Sequence, residues 1–357
     1  MKAAILPALN EDLIIRDDVS LADLQRGEVQ IKIVSSGVCH SDVSVQNGTI
    51  PQPPPCVLGH EGAGRVLEVG PGVEDLNAGD PVIVSFTPAC RLCRACLRNQ
   101  SYLCEAMGAM MTPKFIMDGG PLNGMAGCGT FAEEMILPES ALVKVDDDIP
   151  LDVVSLIGCG VTTGVGAAIN SAGVTPGSSV VVFGAGGVGI SAIQGARIAG
   201  AAEILAVDLV DSKLEQAKKF GATHVCKPDD VEGLKTEITG GEGFDFALEC
   251  IGNPVTIRAT YDAARRGGVA CIVGVGRMDQ MVQFSAFEFF FADKTLRGSM
   301  YGSANVRTFM PKLLRLWKTG KLDLESMITR RIQLEDVNDA FRAMQAGEVI
   351  RSVIDFK

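Results

Sequence analysis

The chain predicts a two-part protein, a β-rich and loop-rich first part followed by an α/β part built on a doubly wound parallel sheet. Three observations predict it. Before Pro150 the apolar residues recur with period two in short runs broken by turns. After Pro150 short apolar runs alternate with stretches of helical length, the pattern of a parallel sheet covered on both faces. Between one such run and the stretch after it lies Gly184-x-Gly186-x-x-Gly189. At 357 residues the chain is too long for one comfortable core, which also favours two domains.

In the first part, Val29–Val34 alternates strictly, and 64–69 and 80–84 read as further strands. The loops between them, including the proline-rich stretch 51–55, are expected to carry ligands. Residues 152–173 are small and apolar and read as a helix interrupted around Gly158-Cys159-Gly160. Strands follow at 178–183, 204–208, 223–225, 244–249 and 269–273, with helices after Gly189 and over 211–220. The last segment has helices at 306–319 and 335–346 and a strand at 351–356. Periodicity does not say which domain that segment joins.

The formal net charge of −11 and the lack of a basic tract argue against nucleic acid or an acidic membrane as partner. The first residues meet Asn10, Glu11 and Asp12 too soon for a signal peptide, and no apolar run approaches the roughly 20 residues of a membrane span. A cytoplasmic location is the expectation. The 11 cysteines, an odd number with Cys226, Cys250 and Cys271 alone in apolar runs, fit a reducing compartment.

In the glycine run, Gly184 permits a tight turn, Gly186 lets the backbone approach a pyrophosphate, and Gly189 allows close helix–strand packing. The helix amino terminus, beginning at Gly187 and Val188, offers unpaired N–H groups to phosphate. Asp208 ends the next strand 19 residues beyond Gly189, where it can accept from a ribose 2′-hydroxyl. No arginine follows it, so NAD is preferred over NADP.

Cys90, Cys93, Cys96 and Cys104 lie within 15 residues, a spacing suited to a closed, structural zinc site. Such a site leaves no open coordination position, so catalysis needs other residues. Only His40, His60 and His224 are available as imidazoles, and His224 reads as surface or packing. On spacing alone, a Cys39/His60/Cys159 metal site and a set of buried thiols with a hydrogen-bonded histidine are equally open.

Gly37-Val38-Cys39-His40-Ser41-Asp42, Gly59-His60-Glu61, the cysteine lobe, Gly158-Cys159-Gly160 with Thr163-Gly164, and the glycine run with Asp208 and Lys213 together resemble the zinc-dependent alcohol dehydrogenases of the medium-chain dehydrogenase/reductase family. The likeness runs through essentially the whole chain. It implies a GroES-like catalytic domain over 1–160 and 300–357, with a structural zinc lobe at about 88–105, and a Rossmann NAD-binding domain over 161–299. It implies catalytic zinc on Cys39, His60 and Cys159 with Glu61 nearby, and structural zinc on the four lobe cysteines. Ser41 would relay the alcohol proton. His40, Thr163, Lys213, Val273, Val275 and Arg351 would join Gly184, Gly186, Gly187, Val188, Gly189 and Asp208 at the cofactor, with Arg351 and His40 on its phosphates and Val273 and Val275 lining the nicotinamide site. Phe86 would line the substrate channel. One departure is that many members carry a histidine five positions after the first zinc cysteine as the end of the proton relay, and here that position is Ser44.

The expected activity is NAD-dependent oxidation of a primary alcohol with a hydrophobic, aromatic or allylic group, and the reverse reduction. The expected partners are a small alcohol or aldehyde and further copies of the chain, as a homodimer or homotetramer. A second reading is a class III type dehydrogenase of S-(hydroxymethyl)thiol adducts of formaldehyde, because Lys294-Thr295-Leu296-Arg297-Gly298 resembles that branch. The segment between Cys104 and Cys159 looks short for it. A third is a non-enzymatic nucleotide-binding zinc protein.

Overall fold

A computed structural model describes residues 1–356. The chain divides into two compact units, one of Met1–Gly160 with Asn305–Lys357 and one of Val161–Ala304. The carboxy-terminal segment therefore returns to the first unit, which periodicity could not indicate.

The first unit is built on two β-sheets. The larger runs in the order Leu142–Lys144, Pro81–Val84, Glu61–Val69, Glu28–Val38, Arg351–Asp355, Ile328–Ile332, and Glu134–Pro138 also pairs with Glu28–Val38. The smaller contains Ala3–Leu6 and the hairpin Phe115–Met117 and Gly120–Gly124. Alternating residues of Glu28–Val38, namely Val29, Ile31 and Ile33, are fully buried with Val57, Val82, Phe115 and Met135. The return of the chain adds Ile354, Val337 and Phe341 to a second apolar cluster with Val38, Val43 and Leu58.

The second unit holds a six-stranded sheet ordered His224–Cys226, Glu203–Val207, Ser179–Phe183, Phe244–Glu249, Ala264–Ile272, Thr295–Gly298. Every pairing in it is parallel. The order reverses between Ser179–Phe183 and Phe244–Glu249, so the strand ends there open the crevice in which nucleotides bind to such sheets. The predicted strands of this unit lie within a residue of the observed ones, except that 269–273 begins earlier, at Ala264.

The interrupted helix over 152–173 is a more broken object than its composition suggests. It runs as an α-turn at Leu151–Val154, a 3-10 turn at Ser155–Gly158, a break at Cys159, an α-helix at Gly160–Gly166 and a π-turn at Ala167–Ala172. Both glycines flanking Cys159 sit where a Cβ would crowd a neighbour, Gly158 against the Val84 carbonyl and Gly160 against the Arg351 guanidinium. Among the described residues, no single helix is long and apolar enough to cross a membrane.

Candidate active site and metal centres

Sheet order brings the first set of residues together. Strand Glu28–Val38 ends directly at Cys39, which caps the helix His40–Gln46. Gly37 pairs with Glu61 on one neighbouring strand, and Val38 pairs with Ser352 on the other, beside Arg351. Residues about 300 positions apart thus share one end of the sheet. Cys159 reaches the same point from the helical break. One donor atom each from Cys39, His60, Glu61 and Cys159 lies within 4.8 Å of all the others, and all four residues are buried.

Asp42, fully buried, organises this cluster. Its carboxylate accepts from the Cys39 N–H at 2.9 Å and the Gly59 N–H at 3.1 Å, and lies 3.2 Å from His60 Nδ1. The His60 ring is thereby turned so that Nε2 faces the sulfurs, and Nε2 is a buried atom without a hydrogen-bond partner. A buried orphan nitrogen costs roughly 1–3 kcal/mol unless something occupies it, so its position facing two thiols fits a cation. The spacing Cys39-x-x-Asp42 is that of a capping box, the one sequence signal for Asp42.

Glu61 is engaged differently. One oxygen accepts from the Gly160 N–H at 2.9 Å and the other is ion-paired with Arg351 Nη2. Both oxygens are spoken for, leaving Cys39, His60 and Cys159 as the unspent donors. Arg351 is itself buried, donates to the Val38 carbonyl at 3.2 Å, and keeps Nε without a partner. Burial pushes the Glu61 carboxyl up to about 7, with Arg351 pulling the other way. The Cys159 thiol is held well above its ordinary value, first by the neighbouring Cys39 sulfur and then by burial. Cys39 is correspondingly far below its ordinary value, helped by His60 and Arg351. Burial opposes a charge on His60, yet Asp42 and Cys39 raise it well above the ordinary range.

Ser41 Oγ is 3.7 Å from Cys39 Sγ, on the exposed side of the same helix start as His40. Ser44 is buried one turn further on. The ring of Phe86 meets the His60 imidazole edge-on, centroids 5.8 Å apart.

The second cluster is local. Sγ atoms of Cys90, Cys93, Cys96 and Cys104 lie within 4.8 Å of one another. The Cys93 N–H donates to Cys90 Sγ at 3.3 Å and the Cys96 N–H to Cys93 Sγ at 3.5 Å, the backbone pattern of a thiolate knuckle. The Cys96 N–H, and after it that of Glu105, draws Cys93 down to about 6, while burial raises Cys96 to about 12. All 11 cysteines are free thiols. Four sulfurs without a fifth competitor fit structural zinc, and two sulfurs with one nitrogen fit zinc with an open position.

In the second unit, Gly184 adopts φ +92°, and a Cβ on Gly189 would overlap the Gly184 carbonyl oxygen. Nothing lies within 4 Å of where a Cβ of Gly186 would be, so the backbone there is open to close approach. The helix Gly187–Ala199 starts at this point with Val188 in its first turn. Asp208 accepts from the Ala185 N–H at 2.8 Å and the Val210 N–H at 3.0 Å, tying the strand end to the glycine turn. Lys213 is half-buried on the helix Asp211–Phe220, and Thr163 half-buried on Gly160–Gly166. Val273 is buried just past the end of Ala264–Ile272, and Val275 is 53% exposed. These residues fit a dinucleotide. His224 bonds Thr223 at 2.9 Å and Glu203 at 3.4 Å, away from any sulfur.

A closed four-sulfur lobe, a two-sulfur one-nitrogen centre and a parallel sheet with a glycine turn at its crevice define a zinc-containing, nucleotide-dependent oxidoreductase. Family comparison is more specific. The alcohol dehydrogenase GroES-like domain matches residues 25–147 and the zinc-binding dehydrogenase domain residues 187–318. Class-3 alcohol dehydrogenase of Cereibacter sphaeroides is 40% identical over 95% of both chains. S-(hydroxymethyl)glutathione dehydrogenase of Paracoccus denitrificans is 39% identical over 94% of this chain and 95% of its own. Benzyl alcohol dehydrogenase from Acinetobacter calcoaceticus superposes with a TM-score of 0.93 at 33% identity, covering 100% of this chain and 99% of its own. The chain belongs to the zinc-dependent alcohol dehydrogenases of the medium-chain dehydrogenase/reductase family. It is an oxidoreductase whose cofactors are NAD and two zinc ions per chain, one catalytic and one structural. The non-enzymatic reading is thereby set aside.

Proposed function

We propose that the enzyme oxidises a primary alcohol bearing a hydrophobic, aromatic or allylic group to its aldehyde, and runs the reverse reduction. The observation that carries this reading is the Phe86 ring edge-on to His60, an apolar aromatic wall at the candidate centre. The likeness to benzyl alcohol dehydrogenase supports it.

In this reading Cys39, His60 and Cys159 hold the catalytic zinc, and Cys90, Cys93, Cys96 and Cys104 the structural one. When bound, zinc acidifies the alcohol hydroxyl and polarises the aldehyde carbonyl, while NAD carries the hydride. Asp42 fixes the His60 ring through Nδ1 and so aims Nε2. Glu61, paired with Arg351 and the Gly160 N–H, braces the Cys159 turn. Ser41 Oγ accepts the proton leaving the alcohol. With Ser44 where many relatives carry an imidazole, this chain offers no ring nitrogen at that position, and water would be the proton's outlet. Gly184, Gly186, Gly187, Val188 and Gly189 receive the pyrophosphate, Asp208 the ribose, and Val273 and Val275 the nicotinamide, with His40, Thr163, Lys213 and Arg351 as further cofactor contacts. Residues 1–160 and 300–357 serve as the catalytic domain and 161–299 as the NAD-binding domain of a cytoplasmic enzyme.

The chain is further read as a homodimer or homotetramer. Thr295–Gly298 is an outer strand of its sheet, and the helix Ala286–Ala292 just before it exposes Phe287, Phe290 and Phe291. An open edge beside exposed aromatics supports self-association.

A second reading, the dehydrogenase of the formaldehyde–glutathione adduct, is favoured by the likeness to the S-(hydroxymethyl)glutathione dehydrogenases of Paracoccus denitrificans and Escherichia coli and by Lys294–Gly298. NADH formation over benzylic, allylic and aliphatic alcohols, and over formaldehyde with glutathione, separates the two. Highest kcat/KM on benzylic or allylic alcohols is expected. A glutathione-dependent rate exceeding all of them would replace the first reading by the second.

A further inference from the structure

We propose that Glu249, acting with Thr256, is a positioning residue for the NAD site. The proposal rests on reading the Gly184–Gly189 turn and Val273–Val275 as parts of that site.

Glu249 closes the strand Phe244–Glu249 at the point where sheet order reverses, and it is fully buried. Among its hydrogen-bond partners in the described residues there is no cation. Its Oε1 accepts from the Ile251 N–H at 3.1 Å, the Gly252 N–H at 2.8 Å and the Thr256 hydroxyl at 2.6 Å, and its Oε2 accepts from Gly252 N–H at 3.0 Å. A buried carboxyl is costly, and here hydrogen bonds from the turn 250–252 and from the Thr256 hydroxyl on the following helix offset the cost. The charge is therefore spent on fixing the turn 250–252.

That turn touches two segments of the crevice. A Cβ at Gly184 would meet Ile251 Cγ1 at 2.7 Å, so the Ile251 side chain lies directly over the glycine turn. On the other side Gly252, at φ +88°, and Gly274 pack backbone to backbone, with Val275 against Gly252 and Ile251 against Gly274. The Glu249 carbonyl also accepts from the Val273 N–H at 2.8 Å and the Gly274 N–H at 3.0 Å. One residue thus sets the glycine turn through Ile251 and the Val273–Val275 segment through its own backbone and Gly252. The fit on the Val273–Val275 side does not survive a shift of the turn, because the packed atoms there are main chain.

In Glu249→Gln, the amide nitrogen replaces an oxygen that accepts from Gly252, and two donors then face each other. The test is NADH fluorescence titration of the zinc-loaded protein, with thermal midpoint, zinc content and the separate effects on kcat and KM for NAD. E249Q should raise the Kd for NADH about tenfold, the size of one lost charged hydrogen bond, and raise KM for NAD in step. Two zincs are expected, with the thermal midpoint lowered by a few degrees. T256V should weaken NADH less than E249Q does, and T256S, which keeps the hydroxyl, should bind as the parent does. Parent-like NADH affinity in both E249Q and T256V, or equal loss in T256S and T256V, would overturn the proposal. Asp208→Ala separates the two levels of the argument. If D208A loses NADH affinity while E249Q and T256V do not, only the positioning role falls. If D208A also binds as the parent does, the reading of the site falls and the positioning role with it.

Discussion

Asp42 offers one carboxylate to three neighbours, the Cys39 and Gly59 N–H groups and His60 Nδ1. An amide of the same size keeps two of these at best. Asp42→Asn is therefore expected to weaken zinc at the two-sulfur centre by about 10–100-fold while leaving the lobe's zinc in place. Chelator competition followed by metal counting checks this, and loss of both zincs in parallel would refute it. Asp245 gives a pH-dependent case. Burial works against its charge, but the Ser179 N–H at 2.8 Å, the Ser179 hydroxyl and Arg265 hold the carboxyl below its ordinary range. A carboxyl depressed in the folded state stabilises above its unfolded value of about 3.9 and loses that contribution as pH falls through the folded value. Asp245→Asn should cost about 1–3 kcal/mol near neutrality, and the gap from the parent should narrow as pH falls below the ordinary carboxyl range and through the depressed folded value. Urea titrations at several pH values measure it. Asp42 shows in the sequence only through its capping-box spacing and the motif around Cys39, and Asp245 through nothing local, since its partners Ser179 and Arg265 lie on other strands.

The cysteine lobe is the clearest element-level case. Its helix, Arg94–Leu97, is one turn long and buries no residue, far below the length at which a helix holds itself. Leu92 just before it and Leu97 at its end are largely exposed. The lobe therefore has four sulfurs in place of a core. Cys96→Ser should remove one zinc of two and make the segment near residues 88–105 the first site of proteolytic cutting, with Cys39, His60 and Cys159 still metal-loaded. Mass spectrometry of intact protein and limited proteolysis report this, and a variant that kept two zincs and the parent's cleavage pattern would exclude it. This element was legible because its four cysteines lie within 15 residues of one another. The break at Cys159 was legible only as two glycines around a cysteine. That a side chain at Gly158 would crowd the Val84 carbonyl and one at Gly160 the Arg351 guanidinium is something no local pattern contains.

At the scale of the whole molecule, the outer strand Thr295–Gly298 and the exposed Phe287 and Phe290 set up a further expectation. Replacing both phenylalanines by glutamate should shift the protein toward monomer, because each buried aromatic contributes about 1.5–3 kcal/mol to an interface. Sedimentation velocity at several concentrations measures the shift, and an unchanged distribution would count against this face. By itself the sequence determined the parallel sheet, the glycine turn with Asp208, and the four-sulfur lobe, because each is encoded in residues near one another in the chain. The tertiary structure decided where the last segment goes. It also decided that Arg351 meets Glu61, that Asp42 aims His60, and that Cys39, His60 and Cys159 share one point. Those facts follow from strand order in a sheet, and strand order is set by which apolar faces pack together, a long-range property that spacing does not carry.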